Sequence, residues 1–283
     1  MVLDEVIVLL TREIKKWAGR RPVLLVSLIT PLFWILLFGK SFNIMGIIET
    51  SVPSLNIPVS VAQSVVEALR ETIYQIFGTR DYFTYIASGM LVVLALFQGM
   101  FSGVSVVFDK RLGYMTRLMA SPIRRESIFV AKVLASVFRI TVLATVLLLV
   151  AFIAGFKFKE GLTVFDVIGA WIVLVSIAVA LSSAFILLGF TTDSHELLFS
   201  VGNLFNLPLL FTSSVLFPTS QMPEWLRVIA HLNPLTYGAD LIRFFLVGRP
   251  LDDALLYLVA VVSVSTLTFI ACMLLSVRFL ERS

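Results

Sequence analysis

Apolar residues occur along this chain in runs that are long enough to cross a membrane as helices. Crossing a hydrocarbon core of about 30 Å takes roughly 20 helical residues. Residues 82–108, 167–192, 197–223 and 254–277 contain no Asp, Glu, Lys or Arg. Two further runs contain only basic charges: Lys40 near the end of one, and Lys132 and Arg139 in the first half of the other, where long cationic side chains can reach the interface. The pattern predicts an all-α membrane protein with six transmembrane helices, at about 22–42, 82–108, 127–156, 167–192, 197–217 and 254–277.

The first 21 residues have the periodicity of an amphipathic helix. Val6, Leu10, Ile14 and Trp17 recur at helical spacing, and most charged residues fall on another face. We therefore divide the chain into 1–21, a helix in the cytoplasmic membrane interface, and 22–283, a six-helix membrane domain. Periodicity alone is equally compatible with a short helix packed on the rest of the protein.

Two connections are too apolar to be free loops. Residues 43–81 begin with two prolines and continue into an amphipathic stretch, which predicts either a lid or a helix on the outer surface. Residues 218–248 predict two short helices that break at Asn233, with Pro234 in the first turn of the second. This hairpin contains the charged residues Glu224, Arg227, Asp240 and Arg243, so we expect it to enter the outer leaflet against protein or water. A pair of surface helices is the alternative.

Composition and charge agree with this interpretation. The 283 residues are 59% hydrophobic and 14% charged, with a mean hydropathy of +0.99, so a soluble enzyme is excluded. Most of the 22 Lys and Arg residues lie before the first span, between Lys110 and Lys132, or in the C-terminal tail. The positive-inside rule therefore places both termini in the cytoplasm. The net charge of +4 reports this orientation, and we expect no nucleic-acid partner.

The sequence contains no recognisable catalytic or metal site. Gly39, Lys40 and Ser41 resemble the end of a phosphate-binding loop, but Trp34 occupies the position of its first glycine. His195 is predicted on one side of the membrane and the only other histidine on the opposite side, so no multi-histidine metal site is expected. Any ATP-hydrolysing unit must then be another chain.

The loop after the second span suits a short amphipathic helix. We expect Leu112, Met115, Leu118 and Met119 to share one face, leaving Lys110, Thr116 and Arg117 available to another protein. We also expect Ser121 to cap the next helix and Pro122 to occupy its first position, which would make a stiff junction.

The same loop, Asp109-Lys110-Arg111-Leu112-Gly113 and onward to Ser121-Pro122, resembles the permease subunits of bacterial and archaeal ABC-2 type exporters. Those proteins have an acidic-basic-x-Gly-Thr segment, then a leucine, Ser-Pro and a basic residue. Here Asp109 stands where Glu is commoner, and Tyr114 where Thr is expected. Leu232-Asn233-Pro234 followed by Arg243 resembles the Asn-Pro segment before their last span. The resemblance covers essentially the whole chain.

The resemblance implies a half-transporter in the plasma membrane of a bacterium or archaeon. A second permease copy, the same chain or a paralogue, would complete the pathway, and two separate ATPase subunits would bind ATP and Mg²⁺, so this chain itself would bind no cofactor. It implies that the ATPase acts on Asp109, Lys110, Arg111, Gly113, Arg117, Leu118, Ser121 and Pro122. Drug, lipid-like and glycan exporters all share these features, so the substrate stays open.

Polar and aromatic residues in two spans mark a candidate substrate pathway: Phe97, Gln98, Phe101, Asn203 and Asn206. Asn203 and Asn206 are three residues apart and would be costly toward lipid, so we expect them to face a partner helix or the pathway. Hydrogen bonding between helices is the alternative role for both.

Two other functions compete with ATP-driven export. An ion- or proton-coupled secondary transporter usually places an acidic residue within a span, and the predicted spans contain none. A non-transporting scaffold would not depend on an ATPase subunit.

Overall fold

The computed structural model describes residues 2–19, 21–40, 58–79 and 81–282, which are helical without any strand and confirm the predicted all-α class. We number the helices α1 Val2–Ala18, α2 Arg21–Trp34 with a π-helical continuation at Ile35–Lys40, α3 Val59–Phe77, α4 Tyr82–Arg111, α5 Tyr114–Ala120, α6 Arg125–Ile153, α7 Val164–Thr191, α8 His195–Phe211, α9 Glu224–Leu232, α10 Pro234–Val247 and α11 Ala254–Arg282. Residues 43–57 and 80 of the predicted connection 43–81 lie outside the described residues, and its second part forms α3.

Four stretches in the described part of the chain are long and apolar enough to cross a membrane: one within Val59–Arg111, then Arg125–Ile153, Val164–Thr191 and Ala254–Glu281. The first predicted span corresponds to a shorter apolar stretch, Ser27–Leu37. The fifth corresponds to α8, which ends at Phe211, earlier than expected. Beyond its end, the carbonyl groups of Ser214 and Val215 accept hydrogen bonds from Arg243. A six-span topology therefore stays a prediction.

Helix α4 is the centre of the fold. Its side chains are buried almost without interruption from Tyr82 to Met100, and it packs on α7, α10, α6 and α8. Glycines allow the closest of these approaches: a Cβ atom on Gly103 would collide with the carbonyl oxygen of Phe185, and one on Gly189 would lie 2.5 Å from the carbonyl oxygen of Gly103. Small residues at a helix crossing let two backbones approach closely, so α4 and α7 pack with their backbones in contact.

Helix α1 packs along α6 and buries Leu9 and Glu13. Leu3, Ile7 and Val8 are exposed on its other side. One face of α1 therefore packs on the protein, and the interfacial location of its exposed apolar face stays a prediction. Helix α3 buries Ala62 and leaves Val61, Val65 and Leu69 exposed, which leaves both of its predicted roles open.

Candidate functional site

The short helix predicted in the cytoplasmic loop is present as α5. Gly113 precedes it in the left-handed conformation, with φ at 67°, and Met115 and Leu118 are buried while Thr116 and Arg117 are exposed. Leu112 is 71% exposed, so the expectation that it shares the buried face is wrong. The left-handed glycine turns the chain between Leu112 and α5, and the two therefore do not belong to one continuous helix.

Two of the basic residues expected to face a partner instead hold the loop between α7 and α8. The Lys110 ammonium group donates hydrogen bonds to the carbonyl oxygens of Phe190 and Thr192, both at 3.1 Å, and pairs with Asp193 at 2.5 Å. Arg111 Nε donates to the carbonyl oxygen of Asp193 at 2.8 Å. The hydrogen bond from Lys110 keeps the pKa of Asp193 below its usual range. The expected availability of Lys110 to another protein is therefore wrong, since its donors are used internally.

The expected capping of α6 by Ser121 is also wrong. Helix α6 begins at Arg125, and Ser121 Oγ donates to the carbonyl oxygen of Leu118 at 2.6 Å, which closes the end of α5. The start of α6 is bound instead by Glu5 of α1, whose Oε2 accepts from Arg124 N at 3.2 Å and from Ser127 Oγ at 2.8 Å. Hydrogen bonds from Ser127 and Arg124 lower the pKa of Glu5. A carboxylate from another helix thus takes the capping role.

Behind α5 lies a group of charges with a buried centre, which we call the charged junction: Arg12, Glu13 and Lys16 of α1, Asp109 of α4, and Lys132 of α6. The Lys132 ammonium group lies 2.6 Å from Asp109 Oδ2 and 3.2 Å from Glu13 Oε1, and the three side chains are at most 7% exposed. Lys16 pairs with Asp109 Oδ1 at 2.7 Å, and Arg12 with Glu13 at 2.8 Å. Lys132 does not extend to the interface as expected, because two carboxylates neutralise it inside the protein.

The charged junction also reaches α5. The Arg12 guanidinium carbon lies 3.3 Å from the centre of the Tyr114 ring, a cation–π contact with the first residue of that helix. Tyr114 stands where the resembling exporters have Thr, and its ring supplies this contact. Arg12 and Lys16 belong to the basic residues before the first span, from which the sequence predicts only the membrane orientation. No local pattern could show that they meet Asp109, from which Lys16 is separated by 93 positions.

On the opposite side of the fold, the two predicted short helices are α9 and α10, with the break where it was expected. Asn233 Oδ1 accepts from Leu235 N at 2.9 Å, and Pro234 occupies the first turn of α10. Asn233 Nδ2 donates to the carbonyl oxygen of Leu209 at 2.7 Å and to Thr212 Oγ1 at 3.0 Å. One asparagine therefore starts α10 and binds the end of α8.

Arg243 forms the centre of a second buried cluster, the Arg243 cluster, made of Tyr85, Ser214, Val215, Asp240 and Arg243. Its side chain is 0% exposed and donates to the carbonyl oxygens of Tyr85, Ser214 and Val215 at 2.9–3.2 Å. Asp240 pairs with Arg243 at 3.2 Å. Its guanidinium also lies over the Tyr85 ring, at 3.6 Å. The guanidinium thus satisfies the irregular backbone that follows α8.

The two halves of the hairpin differ in exposure. Helix α10 is buried along most of its length, whereas α9 exposes Trp225, Val228 and Leu232, and Glu224 is also exposed. Entry of the hairpin into the outer leaflet stays a prediction.

The five candidate pathway residues do not share one environment. Gln98 and Asn206 are buried, and Gln98 Nε2 and Asn206 Oδ1 have no hydrogen-bond partner in the described part of the chain. Phe101 is 41% exposed and packs edge-on against Phe199, while Asn203 is exposed. Phe97 is half-buried. Asn206 Nδ2 donates to Met100 Sδ of α4 at 3.4 Å, and the expectation that Asn203 and Asn206 both face a partner helix or the pathway stays a prediction.

Comparison with known proteins agrees with this architecture. The chain is 29% identical over 228 residues to a protein of Cyanophora paradoxa named as the transport permease ycf38, a match that covers 80% of this chain and 68% of the relative. It is 24% identical to nodulation protein J of Sinorhizobium fredii, over 71% and 74% of the two chains. It is 25% identical to a Mycobacterium tuberculosis protein named as the doxorubicin resistance ABC transporter permease protein DrrC, over 53% of each chain. Residues 4–247 match the family model of the ABC-2 type transporter, and the chain therefore belongs to that family of membrane permeases.

Proposed function

We propose that this chain is the membrane-spanning subunit of an ATP-driven exporter, working with a separate ATPase chain and a second permease copy. The family supports the permease role. The observation that carries the coupling to an ATPase is α5, a short helix whose Thr116 and Arg117 are exposed while Met115 and Leu118 anchor it on the bundle. In this proposal ATP and Mg²⁺ bind to the partner chain, and both termini lie in the cytoplasm.

The contacts that hold α5 on α1, α4 and α6 support a role in transmitting displacement. Helix α5 is joined to α4 through Gly113, contacts α1 through Tyr114, and lies directly before α6, whose first turn is bound by Glu5. A force on α5 would therefore reach α1, α4 and α6 together, because close-packed elements transmit strain rather than absorbing it.

The buried carboxylates favour this function over proton-coupled transport. Asp109 pairs with Lys16 and Lys132, and Asp240 pairs with Arg243 and Arg249. A proton-carrying carboxylate has to alternate between charged and neutral states, and two adjacent cations oppose the neutral state. Export of a drug, a lipid-like amphiphile or a glycan fits the exposed aromatic residues of α4 and α8.

We expect Arg117→Glu to weaken binding of the ATPase at least about tenfold while membrane insertion stays intact, because it reverses an exposed charge at the proposed contact. Copurification of the ATPase and ATP hydrolysis in reconstituted vesicles measure the effect. Leu118→Asp is a poorer probe, since Leu118 is 7% exposed and its loss would also disturb the packing of α5.

Lys157→Glu is the matched control for Arg117→Glu, because it reverses another exposed cation, beyond the opposite end of α6. Arg124→Lys should also leave both measurements unchanged. Wild-type binding and hydrolysis in Arg117→Glu would remove α5 as the coupling element.

Orientation can be tested by cysteine labelling of intact cells. In a Cys272→Ser background, we expect a membrane-impermeant thiol reagent to label a cysteine at Ser60 and to leave one at Thr116 unlabelled. Both positions are exposed on the protein surface, so accessibility would report the side of the membrane. The reverse pattern would invert the topology.

A further inference from the structure

Arg139 is a cation near the middle of a membrane-crossing helix. It follows Lys132 of the charged junction by seven residues, which places it about 10 Å further along the axis of α6. That helix is long and apolar enough to cross a membrane. A cation at this depth is costly unless it binds an anion or lines a polar pathway.

Few groups among the described residues compensate the positive charge of Arg139. Its Nη2 donates one hydrogen bond, to Ser102 Oγ at 3.0 Å, although a guanidinium group carries five N–H donors. Within the described ranges no carboxylate lies at ion-pair distance from it. Glu13 acts on Arg139 electrostatically from beyond that distance and is bound to Arg12 and Lys132.

The hydroxyl groups beside Arg139 cannot supply the missing charge. Ser102 Oγ donates to the carbonyl oxygen of Gln98 at 2.9 Å, so the 2.6 Å contact with Ser136 has Ser136 as the donor. Ser136 in turn accepts from Ser182 at 2.7 Å. Ser102 therefore accepts from both Ser136 and Arg139, is neutral, and is saturated.

The surroundings of Arg139 suit an amphiphile. Its side chain is partly exposed, and Val146 and Val150, two and three turns further along the same face of α6, are 37% and 38% exposed. On the neighbouring face Phe138 is exposed and packs edge-on against Trp17 of α1. A cation at the inner end of an open apolar strip matches an anionic head group followed by a hydrocarbon chain.

We propose that Arg139 binds the phosphate or carboxylate head group of an anionic amphiphile entering from the inner leaflet, and that such amphiphiles are the class of compound this chain exports. The statement about export rests on the proposed function. The Arg243 cluster shows the contrast: that arginine is enclosed by carbonyl groups and Asp240, so it has no donors left for a ligand.

The binding test uses the full chain in nanodiscs, with titration of phosphatidylglycerol or phosphatidylcholine of matched acyl chains followed by thermal shift or native mass spectrometry. We expect the wild type to prefer phosphatidylglycerol, and Arg139→Met to lose at least about tenfold in affinity for it. Lys15→Met removes an exposed cation from α1 and should bind like the wild type. Arg139→Gln keeps a donor for Ser102 and covers the case in which Arg139→Met does not fold.

Three results would overturn the binding proposal: no preference for phosphatidylglycerol, unchanged binding in both Arg139 variants, or equal competition by inorganic phosphate alone.

A second arm measures ATP hydrolysis by the assembled complex in vesicles of each lipid. Stimulation by phosphatidylglycerol that Arg139→Met abolishes supports export of this class. Binding of phosphatidylglycerol without stimulation of ATP hydrolysis would overturn the proposal that such amphiphiles are exported, and would identify the bound molecule as a resident lipid. Since the first arm needs no ATPase, its failure leaves the exporter assignment standing.

Discussion

Asp109→Asn is expected to lower the free energy of unfolding by about 3–5 kcal/mol, the usual cost of removing one partner from a buried ion pair. Asp109 is 1% exposed and binds Lys16 and Lys132 directly. Its loss leaves Lys132 with Glu13 as its one remaining carboxylate, and an asparagine amide cannot neutralise a buried ammonium group. We also expect α1 to become sensitive to limited proteolysis, because the charged junction holds it on the bundle.

The control is Asp193→Asn, which removes another aspartate with a lysine partner. Asp193 is 82% exposed, so its variant should lie within about 1 kcal/mol of the wild type. Combining Asp109→Asn with Lys132→Met should recover part of the lost stability, since the buried cation is then removed as well. Denaturant titration of the reconstituted protein measures all three variants. If Asp109→Asn and Asp193→Asn had equal effects, the charged junction would not stabilise the fold.

Arg243→Ala should be about as damaging, and the packing of α10 on α4 and on the segment that follows α8 should fail with it. The buried carbonyl oxygen of Val215 would lose the donor that Arg243 supplies. The carbonyl oxygens of Tyr85 and Ser214 and the carboxylate of Asp240 would each lose one of their donors. Each buried polar group left unsatisfied costs about 1–3 kcal/mol. We expect folded yield, thermal stability and transport to fall together.

Arg243→Lys separates charge from geometry. Lysine keeps the positive charge but has no planar fork, so it cannot bind Tyr85, Ser214 and Val215 at once, and this variant should also be strongly destabilised. Arg227→Ala is the matched control, because Arg227 is an exposed arginine of the neighbouring helix α9. If Arg243→Ala had wild-type stability and transport, the Arg243 cluster would be needed for neither.

Several elements could be read from the sequence because their signals are local. The apolar runs produced α4, α6, α7 and α11, and the break at Asn233-Pro234 came from residue types that cap and start helices. The short helix α5 followed from a seven-residue amphipathic pattern beside a glycine. Each of these depends on neighbours within a few turns, which the order of residues displays directly.

The roles of individual charges could not be read in this way. Lys110 was expected to face a partner, yet its neighbours on α7 and its ion pair with Asp193 use its donors. Ser121 had the correct residue type for a cap, but Glu5 of α1 occupies that place. Both expectations assume that the function of a polar side chain depends on its own segment of the chain. In the folded protein, tertiary packing places groups from other helices beside these positions.

The sequence by itself determined the helical class of this protein, its long apolar helices and its resemblance to ABC-2 permeases, since hydrophobic length and short motifs are properties of contiguous residues. Only the tertiary structure decided which charges are buried and what neutralises them. Arg243 meets Tyr85 across 158 positions, and Lys16 meets Asp109 across 93. Burying a charge in a low-dielectric interior is costly unless such partners compensate it. Helix packing, which no local pattern encodes, decides which partners a charge has.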